Sequence, residues 1–139
     1  MSIPPQAGAV MRERFGGDAL IALATVENGL PQVRTVNSHY ADGAFYVITH
    51  ALSNKMRQIR AQPRVAVSGE WFTGHGVAED LGPLMAADNR ALRDCLRQAF
   101  AAWYDNGHTD EHDPDTHILR IRLTDAVLLS HGTRYDLIF

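Results

Sequence analysis

The sequence has one cysteine, little net charge and no long apolar run. With Cys95 alone, no disulfide can form within the 139 residues, so stability must come from packing, and a reducing cytoplasm suits the chain. A formal charge of −3 gives no overall positive field for nucleic acid or an anionic membrane surface. No segment approaches the ~20 apolar residues of a membrane-spanning helix, and the first residues do not resemble a signal peptide. We therefore expect a cytoplasmic protein with neither a nucleic-acid nor a membrane partner.

Length and composition predict one packed domain over residues 1–139. Apolar residues make up 45% of the chain and charged residues 21%, both near the averages of globular proteins. A domain of this size buries a little under ~70% of the surface that its unfolded chain exposes, which is enough for one core. The first eight residues, which include Pro4 and Pro5, are predicted to be mobile, and a short helix is expected around residues 9–15.

Short apolar segments separated by turn residues predict antiparallel β structure. Asn28-Gly29 and Asp42-Gly43 are hairpin signals, because both residues of each pair tolerate positive φ. These two turns join the first three strands into a meander. The predicted strands are residues 19–26, 32–40, 44–49, 64–68, 74–81, 119–123, 127–131 and 135–139.

Two helices are predicted among these strands. Ser53 is a suitable N-cap for a short helix that Pro63 stops. Apolar residues recur at helical spacing over residues 84–103, which predicts one helix of four to five turns with Cys95 in its buried stripe. Six to eight short strands with one long and one or two short helices indicate a mostly β fold, a small antiparallel barrel whose openings the helices cover.

Two features of the sequence together predict an anion site. Arg34 lies in the middle of the second strand, where it needs either an anion or a solvent-facing side. Ser53 and Lys55 begin the short helix, and a helix N-terminus offers unpaired N–H groups and about half a positive charge. Each feature alone has an ordinary explanation, a solvated strand face or an exposed helix cap. Together with Thr49 at the end of the third strand, they can converge on one phosphate.

An ordered set of motifs runs through residues 18–81. It consists of Pro31-x-x-Arg34-x-Val36, Phe45-Tyr46-Val47-Ile48-Thr49, Ser53-x-Lys55-x-x-x-Ile59 and Gln62-Pro63-Arg64-Val65. This set resembles the pyridoxamine 5′-phosphate oxidase-like family of FMN-binding split barrels, and is most similar to its short, general-stress-protein type. The resemblance implies a split β-barrel homodimer with one FMN in each of two clefts at the dimer interface. It also implies an oxidoreductase in which the flavin acts on a small-molecule substrate, with NADH or NADPH as a plausible electron donor.

The resemblance assigns roles to individual residues. Arg34 and Lys55 would hold the FMN phosphate, and no residue is assigned to catalysis because the flavin performs the electron chemistry. The glycines on either side of His75 fit the close approach of a flat ligand to the backbone. The other cofactor-binding residues would be Ser53 and Asn54 at the phosphate, Thr35, Val36 and Asn37 beside the ring, Ile48, Thr49 and His50 along the cofactor, and His75 near the edge of the ring.

Departures from the family pattern leave other functions open. His39 stands where pyridoxamine oxidases often carry a lysine, and their C-terminal Trp-x-x-x-Arg segment is missing, so vitamin B6 oxidation is disfavoured. One alternative is a flavin-binding stress protein without turnover, and another is a split barrel that binds the deazaflavin F420 or haem instead. One hypothesis from the predicted topology is that His131 and Arg134 reach the flavin site of the second subunit.

The polar segment over residues 104–117 is predicted to be a loop. His108 and His112 lie four residues apart among carboxylates and could bind zinc, but Gly107 and Pro114 exclude the rigid helix that would present both. We expect no metal site, and a solvated acidic loop or a cover over the flavin instead. The two tryptophans, Trp71 and Trp103, are predicted to be core or dimer contacts.

Overall fold

The computed structural model describes residues 3–139 as a closed antiparallel barrel with flanking helices. Its helices are α1 (Pro5–Phe15), α2 (Asn54–Ala61) and α3 (Arg90–Ala99), and its strands are β1 (Ala19–Glu27), β2 (Leu30–Ala41), β3 (Ala44–His50), β4 (Arg64–Gly69), β5 (Phe72–Pro83), β6 (Thr116–Ser130) and β7 (Thr133–Ile138). The strand order is β3-β2-β1-β4-β5-β6-β7, and β3 also pairs with β6. Six strands therefore close a ring, with β7 added beside β6. The predicted mostly β barrel is confirmed.

Tight turns set the register of the first three strands. Asn28 and Gly29 have φ values of 51° and 78°, and Asp42 and Gly43 have values of 47° and 83°. Positive φ at both central residues matches the right-handed twist of the flanking strands, so these pairs close two-residue hairpins as predicted. His131-Gly132 forms a third turn of this kind between β6 and β7.

Helix α1 contributes to the core inside the barrel. Phe15 packs against Phe45 and Phe72, with ring centroids 5.6 Å and 5.4 Å apart. The helix begins at Pro5, earlier than predicted, and Ala7 in its first turns is fully buried. Of the eight residues predicted to be mobile, Met1 and Ser2 lie outside the described residues, whereas residues 5–8 belong to α1.

Helix α3 packs on the outside of the barrel and is shorter than predicted. Strand β5 runs on to Pro83, and a single 3₁₀ turn precedes α3. Asn89 fixes this connection, because its side-chain amide donates to the carbonyls of Leu81 and Pro83. The buried contacts of α3 come from Leu96 and the adjacent Phe100. The prediction that Cys95 lies in the core was wrong, since it is exposed on the neighbouring helical position.

Strand β6 is continuous where two strands were predicted. The pairing with β5 shifts between His75 and Gly76, so that Thr124, between the two predicted strands, is an extra residue in a β-bulge. A bulge lets polar residues interrupt the apolar alternation without ending the strand. None of the described helices has the length and apolar character that a membrane crossing requires.

Candidate cofactor cleft

Strands β2 and β3 separate soon after their hairpin and leave a cleft. Their pairing covers three positions, from Ala41 opposite Ala44 to His39 opposite Tyr46. Beyond these positions the two strands pair with β1 and β6 on their far sides, so their facing edges keep unpaired backbone groups. The cleft has a volume of about 500 Å³, within the range of about 300–1,000 Å³ for cofactor sites. It is lined by Val36, Asn37, Val47, Ile48, Lys55, Trp103, Asn106, His108 and Thr109.

Arg34 lies beneath α2, where it is partly buried. It stands opposite Leu23 on β1 and donates to the Leu23 carbonyl at 3.2 Å. Its two terminal nitrogens also donate to Thr25 Oγ1 and Gln58 Oε1, each at 2.8 Å. All three acceptors are neutral, and burial lowers the pKa of the guanidinium. The positive charge of Arg34 is therefore held in place without a carboxylate partner among residues 3–139.

Lys55 is the only lysine in the sequence. It lines the cleft and lies close enough to Arg34, which is not part of the lining, for the two charges to interact. Its ammonium donates to the hydroxyl of Thr49, which ends β3, and lies 3.5 Å from Ser53 Oγ. Burial lowers the pKa of Lys55, and the positive charge of Arg34 lowers it further. An anion between the two cations would stabilise their charged forms. A phosphate group there would offset the lowering of the Lys55 pKa by burial and by the charge of Arg34.

The N-terminus of α2 adds donors beside Lys55. Ser53 occupies the N-cap position as predicted, but its side chain makes no capping hydrogen bond. The hydroxyl and the first N–H groups of α2 therefore remain available to a ligand. Asn54 uses its side-chain oxygen to accept from Arg57 at 2.8 Å. We use the name phosphate corner, after the group predicted to bind there, for Arg34, Thr49, Ser53, the α2 amides and Lys55.

We expect Lys55→Met to stabilise the ligand-free protein by roughly 0.5–2 kcal/mol. The pKa of Lys55 is lowered in the fold, so the unfolded chain binds more protons, and stability rises with pH between the lowered pKa and the ordinary value of 10.5. Removing the charge removes this penalty at neutral pH. Thermal unfolding of both proteins from pH 7 to pH 10 should show an advantage for the variant that shrinks as pH rises. A wild type more stable than the variant at pH 7 would contradict the interpretation.

The remaining predicted residues differ in their distance from the cleft. Val36, Asn37 and Ile48 line it, whereas Thr35 points to the outer face of β2 and is exposed. His50 is exposed at the end of β3, where its Nδ1 accepts from the Leu52 amide at 3.3 Å.

A loose trio of possible metal ligands lies near the end of β3. The ligand atoms of His50, Asp113 and Asp115 lie within 4.8 Å of one another. These side chains are open to solvent, and His50 Nε2 lies 3.6 Å from Asp113 Oδ2, which suits an anchor for the loop. His108 and His112, the pair considered from the sequence, do not belong to this trio.

His75 lies on the outer face of β5, away from the cleft of its own chain. Its side chain is 69% exposed, and its Nδ1 lies 2.9 Å from Asp125 Oδ1. The adjacent glycines have a reason within the chain, because a Cβ on Gly76 would lie 2.8 Å from the Arg122 carbonyl oxygen. Both glycines let β5 pack closely against β6, and the approach of a ligand to them stays a prediction.

Gly76→Ala is expected to lower the free energy of unfolding by about 1–3 kcal/mol, because the added methyl group would overpack the β5–β6 contact. Gly17→Ala is the matched control, since a Cβ there meets nothing within 4 Å and its φ is not positive. Urea unfolding of both variants measures the difference. Equal stability of the two variants would show that β5 and β6 relax without cost.

His131 and Arg134 lie at the β6–β7 hairpin and not at the cleft of their own chain. His131 Nδ1 is 2.9 Å from Ser130 Oγ, and Arg134 pairs with Asp136 at 3.0 Å. Their predicted reach into the flavin site of a second subunit stays a prediction.

The segment after α3 lines the cleft with residues that sequence reasoning did not assign individually to the site. Trp103, Asn106, His108 and Thr109 face Lys55 across the cleft. Residues 104–117 were expected to be a solvated loop or a cover, and no periodic pattern pointed to a contact with β2 or α2. The one available signal was Trp103, a large aromatic residue at the start of a polar segment.

The outer face of the barrel carries exposed apolar side chains. Val33 and Ile138 are 71% and 61% exposed, and they border a groove of about 470 Å³ with the small residues Ala22, Ala24 and Ala66. Leu20 on β1 and Trp71 before β5 are 64% and 66% exposed. Trp71 is therefore not a core residue within this chain. Apolar surface of this kind is commonly covered by a partner.

Comparison with known proteins places the chain among related folds. The sequence matches the pyridoxamine 5′-phosphate oxidase family over residues 8–129. No curated protein sequence matches significantly. General Stress Protein 26 from Bacillus anthracis has a similar structure, with a TM-score of 0.74 at 17% identity, over 95% of this chain and 99% of that one.

Two further solved structures share the fold and differ in their printed ligands. A FAD-binding protein from Mesorhizobium loti aligns with a TM-score of 0.68 at 18% identity, over 91% of this chain and 96% of that one. A heme binding protein from Mycobacterium smegmatis aligns with a TM-score of 0.69 at 20% identity, over 99% of this chain and 60% of that one. Identities this low show a common fold. The match over residues 8–129 shows that the chain belongs to the pyridoxamine 5′-phosphate oxidase family.

Proposed function

We propose that the protein binds FMN in the cleft between β2 and β3 and acts as an oxidoreductase on a small molecule. The observation that carries this proposal is the pair of neighbouring cations, Arg34 and Lys55, each held by neutral oxygens, with Lys55 in the lining of the cleft. A phosphate ester is the anion that suits both, because arginine offers two parallel donors and lysine a point charge. The flat space beyond them is bounded by Val36 and Ile48.

The residues of the chain would bind and orient the cofactor. Arg34 and Lys55 would neutralise the phosphate, with the Ser53 hydroxyl and the α2 amides as further donors. The unpaired edges of β2 and β3 would meet the polar edge of the ring, and Ile48 would exclude water from one side of it. When bound, FMN supplies hydride and single-electron chemistry.

We propose that a homodimer completes the site. The exposed apolar residues around Val33 and Ile138 form a face that a second copy would cover, as a two-fold interface requires. His75, which Asp125 orients on this face, is then available to the cleft of the partner. This arrangement would reconcile the predicted cofactor contact of His75 with its distance from the cleft of its own chain. The single cysteine keeps the cytoplasm as the expected compartment.

A haem-binding function is the second candidate, favoured by the similarity to the heme binding protein from Mycobacterium smegmatis. The chain spans 60% of the length of that protein. Among the residues that line the cleft, His108 is the one histidine that could serve as a haem ligand, and it lies on a loop. The phosphate corner favours FMN over haem, because its donors converge at one point rather than on two separated propionates.

An absorption spectrum of the purified protein, followed by FMN titration and addition of NADH or NADPH, tests these proposals. A flavin spectrum or saturable FMN binding, with bleaching by a nicotinamide donor, is the expected result. FMN binding without reduction by either donor would favour a flavin-binding protein without turnover of its own. A Soret band, an F420 spectrum or no binding at all would overturn the proposal.

A further inference from the structure

The wall of the cleft opposite Lys55 has no part in the binding scheme above. Trp103, Asn106 and His108 of this wall face the cleft, and all three follow the last turn of α3. We define the cleft wall as residues 103–109. Its side chains reach the space that a cofactor held at Lys55 would occupy, so its position decides how open that space is.

One carboxylate joins the cleft wall to β2. Asp18, in the link between α1 and β1, accepts a hydrogen bond from Trp103 Nε1 at 2.7 Å through Oδ2. Through Oδ1 it accepts from Asn37 Nδ2 at 2.9 Å. Hydrogen bonds to an ionised acceptor are shorter and stronger than neutral ones. Asp18 thus connects Asn37 on β2 with Trp103 of the cleft wall, and both of these residues line the cleft.

The indole of Trp103 is also held by stacking. Its ring lies 4.7 Å from the ring of Phe100 with an interplanar angle of 26°. Phe100 is fully buried in the cluster beneath α3, so it gives the indole a fixed support. Stacking sets the plane of the indole, and the bond to Asp18 sets its direction within that plane.

The chain just beyond the cleft wall is held by a second set of hydrogen bonds. Glu111 accepts from the Tyr104 hydroxyl at 2.7 Å and from Arg97, which also lies over the Tyr104 ring. Burial and the bond to Glu111 raise the pKa of Tyr104 to about 12, so its hydroxyl stays a donor across the physiological range. The cleft wall is therefore tied at Trp103 by Asp18 and just beyond Thr109 by Glu111.

We propose that Asp18 is a positioning residue of the cofactor cleft, because it holds Trp103 against Asn37 and so keeps the cleft wall closed over a flat, phosphate-bearing ligand. The cleft can open only if one or both bonds to Asp18 break. This requirement slows the exit of the ligand. This inference rests on the proposed function for the identity of the ligand. The contacts that carry it are independent of the phosphate corner.

The test combines Asp18→Ala and Trp103→Phe with two readouts. Alanine removes both acceptor oxygens of Asp18, and phenylalanine keeps the stacking surface of Trp103 but removes its N–H. Each variant is expected to release FMN roughly three- to thirty-fold faster, measured by flavin fluorescence after stopped-flow dilution of the complex. The double variant should release FMN no faster than Asp18→Ala alone, because that substitution already removes the bond to Trp103. Asp94→Ala, at an exposed carboxylate on α3 without a side-chain partner in residues 3–139, is the control.

The second readout does not need the cofactor. In a Trp71→Phe background Trp103 is the only tryptophan, and Asp18→Ala should increase acrylamide quenching of its fluorescence. If the wild type binds no FMN, the proposed function fails, and quenching alone decides whether Asp18 holds Trp103. Unchanged quenching in Asp18→Ala would overturn the inference. Fully additive effects of the two substitutions on FMN release would overturn it as well, because a general loss of stability does not require that they share a bond.

Discussion

Replacing Arg34 and Lys55 together by alanine is expected to weaken FMN binding roughly 10²- to 10⁴-fold. The two side chains are the only cations at the phosphate corner within residues 3–139, and both carry positive charge opposite neutral acceptors. Each charge-assisted bond to a phosphate contributes about 1.5–3 kcal/mol, which gives this range for two. The loss should appear in equilibrium titration by flavin fluorescence.

Riboflavin binding distinguishes the contribution of the phosphate corner from that of the ring site. It lacks the phosphate, so the double variant should bind riboflavin within about three-fold of the wild type if the cleft is intact. Arg60→Ala is a matched control. Arg60 lies on α2, as Lys55 does, but it pairs with Asp80 at 3.3 Å and does not line the cleft. Retention of FMN affinity by the double variant would remove the assignment of Arg34 and Lys55 to the phosphate.

Val33→Glu is expected to convert a dimer into monomers, raising the dissociation constant roughly 10²- to 10⁴-fold. Val33 is 71% exposed on the outer face of β2, so a glutamate there costs the fold of one chain little. In a two-fold interface, however, the substitution would place two unpaired carboxylates in one desolvated contact. Analytical ultracentrifugation over a range of protein concentrations measures the change.

Cofactor affinity provides a second readout for Val33→Glu. If a second copy completes the cleft, the monomeric variant should bind FMN more weakly than the wild type although it keeps Arg34 and Lys55. Val33→Thr introduces polarity without charge and should remain a dimer. A wild type that is monomeric at micromolar concentration would show that the apolar face serves another partner. It would also contradict the proposal that a second copy completes the cofactor site.

Local chemistry made much of the barrel predictable. Asn28-Gly29 and Asp42-Gly43 specify two-residue turns because of their own φ preferences, and the structure has turns at both positions. The proximity of Arg34 and Lys55 was predictable for a similar reason. Each has an ordinary explanation alone, but a cation in a strand interior and another in the first turn of a helix together pointed to one anion before any contact was known.

Two predictions were wrong because the same pattern of residues along the chain fits two three-dimensional arrangements. The apolar positions of α3 allow two neighbouring helix faces, and the packing of Leu96 and Phe100 on the barrel chose the one that exposes Cys95. Thr124 and Asp125 fit a turn as well as a bulge, and the pairing with β5 chose the bulge. Neither choice is visible in spacing along the chain.

The sequence by itself determined most of the strands, the first two hairpins and the two cations proposed to bind a phosphate, because each depends on residues close together along the chain. Only the tertiary structure decided where β2 and β3 separate, and that separation creates the cleft. It also decided that Trp103 and Asp18 meet although they lie 85 residues apart. Contacts over such distances follow from how whole elements pack, and no local period or motif encodes them.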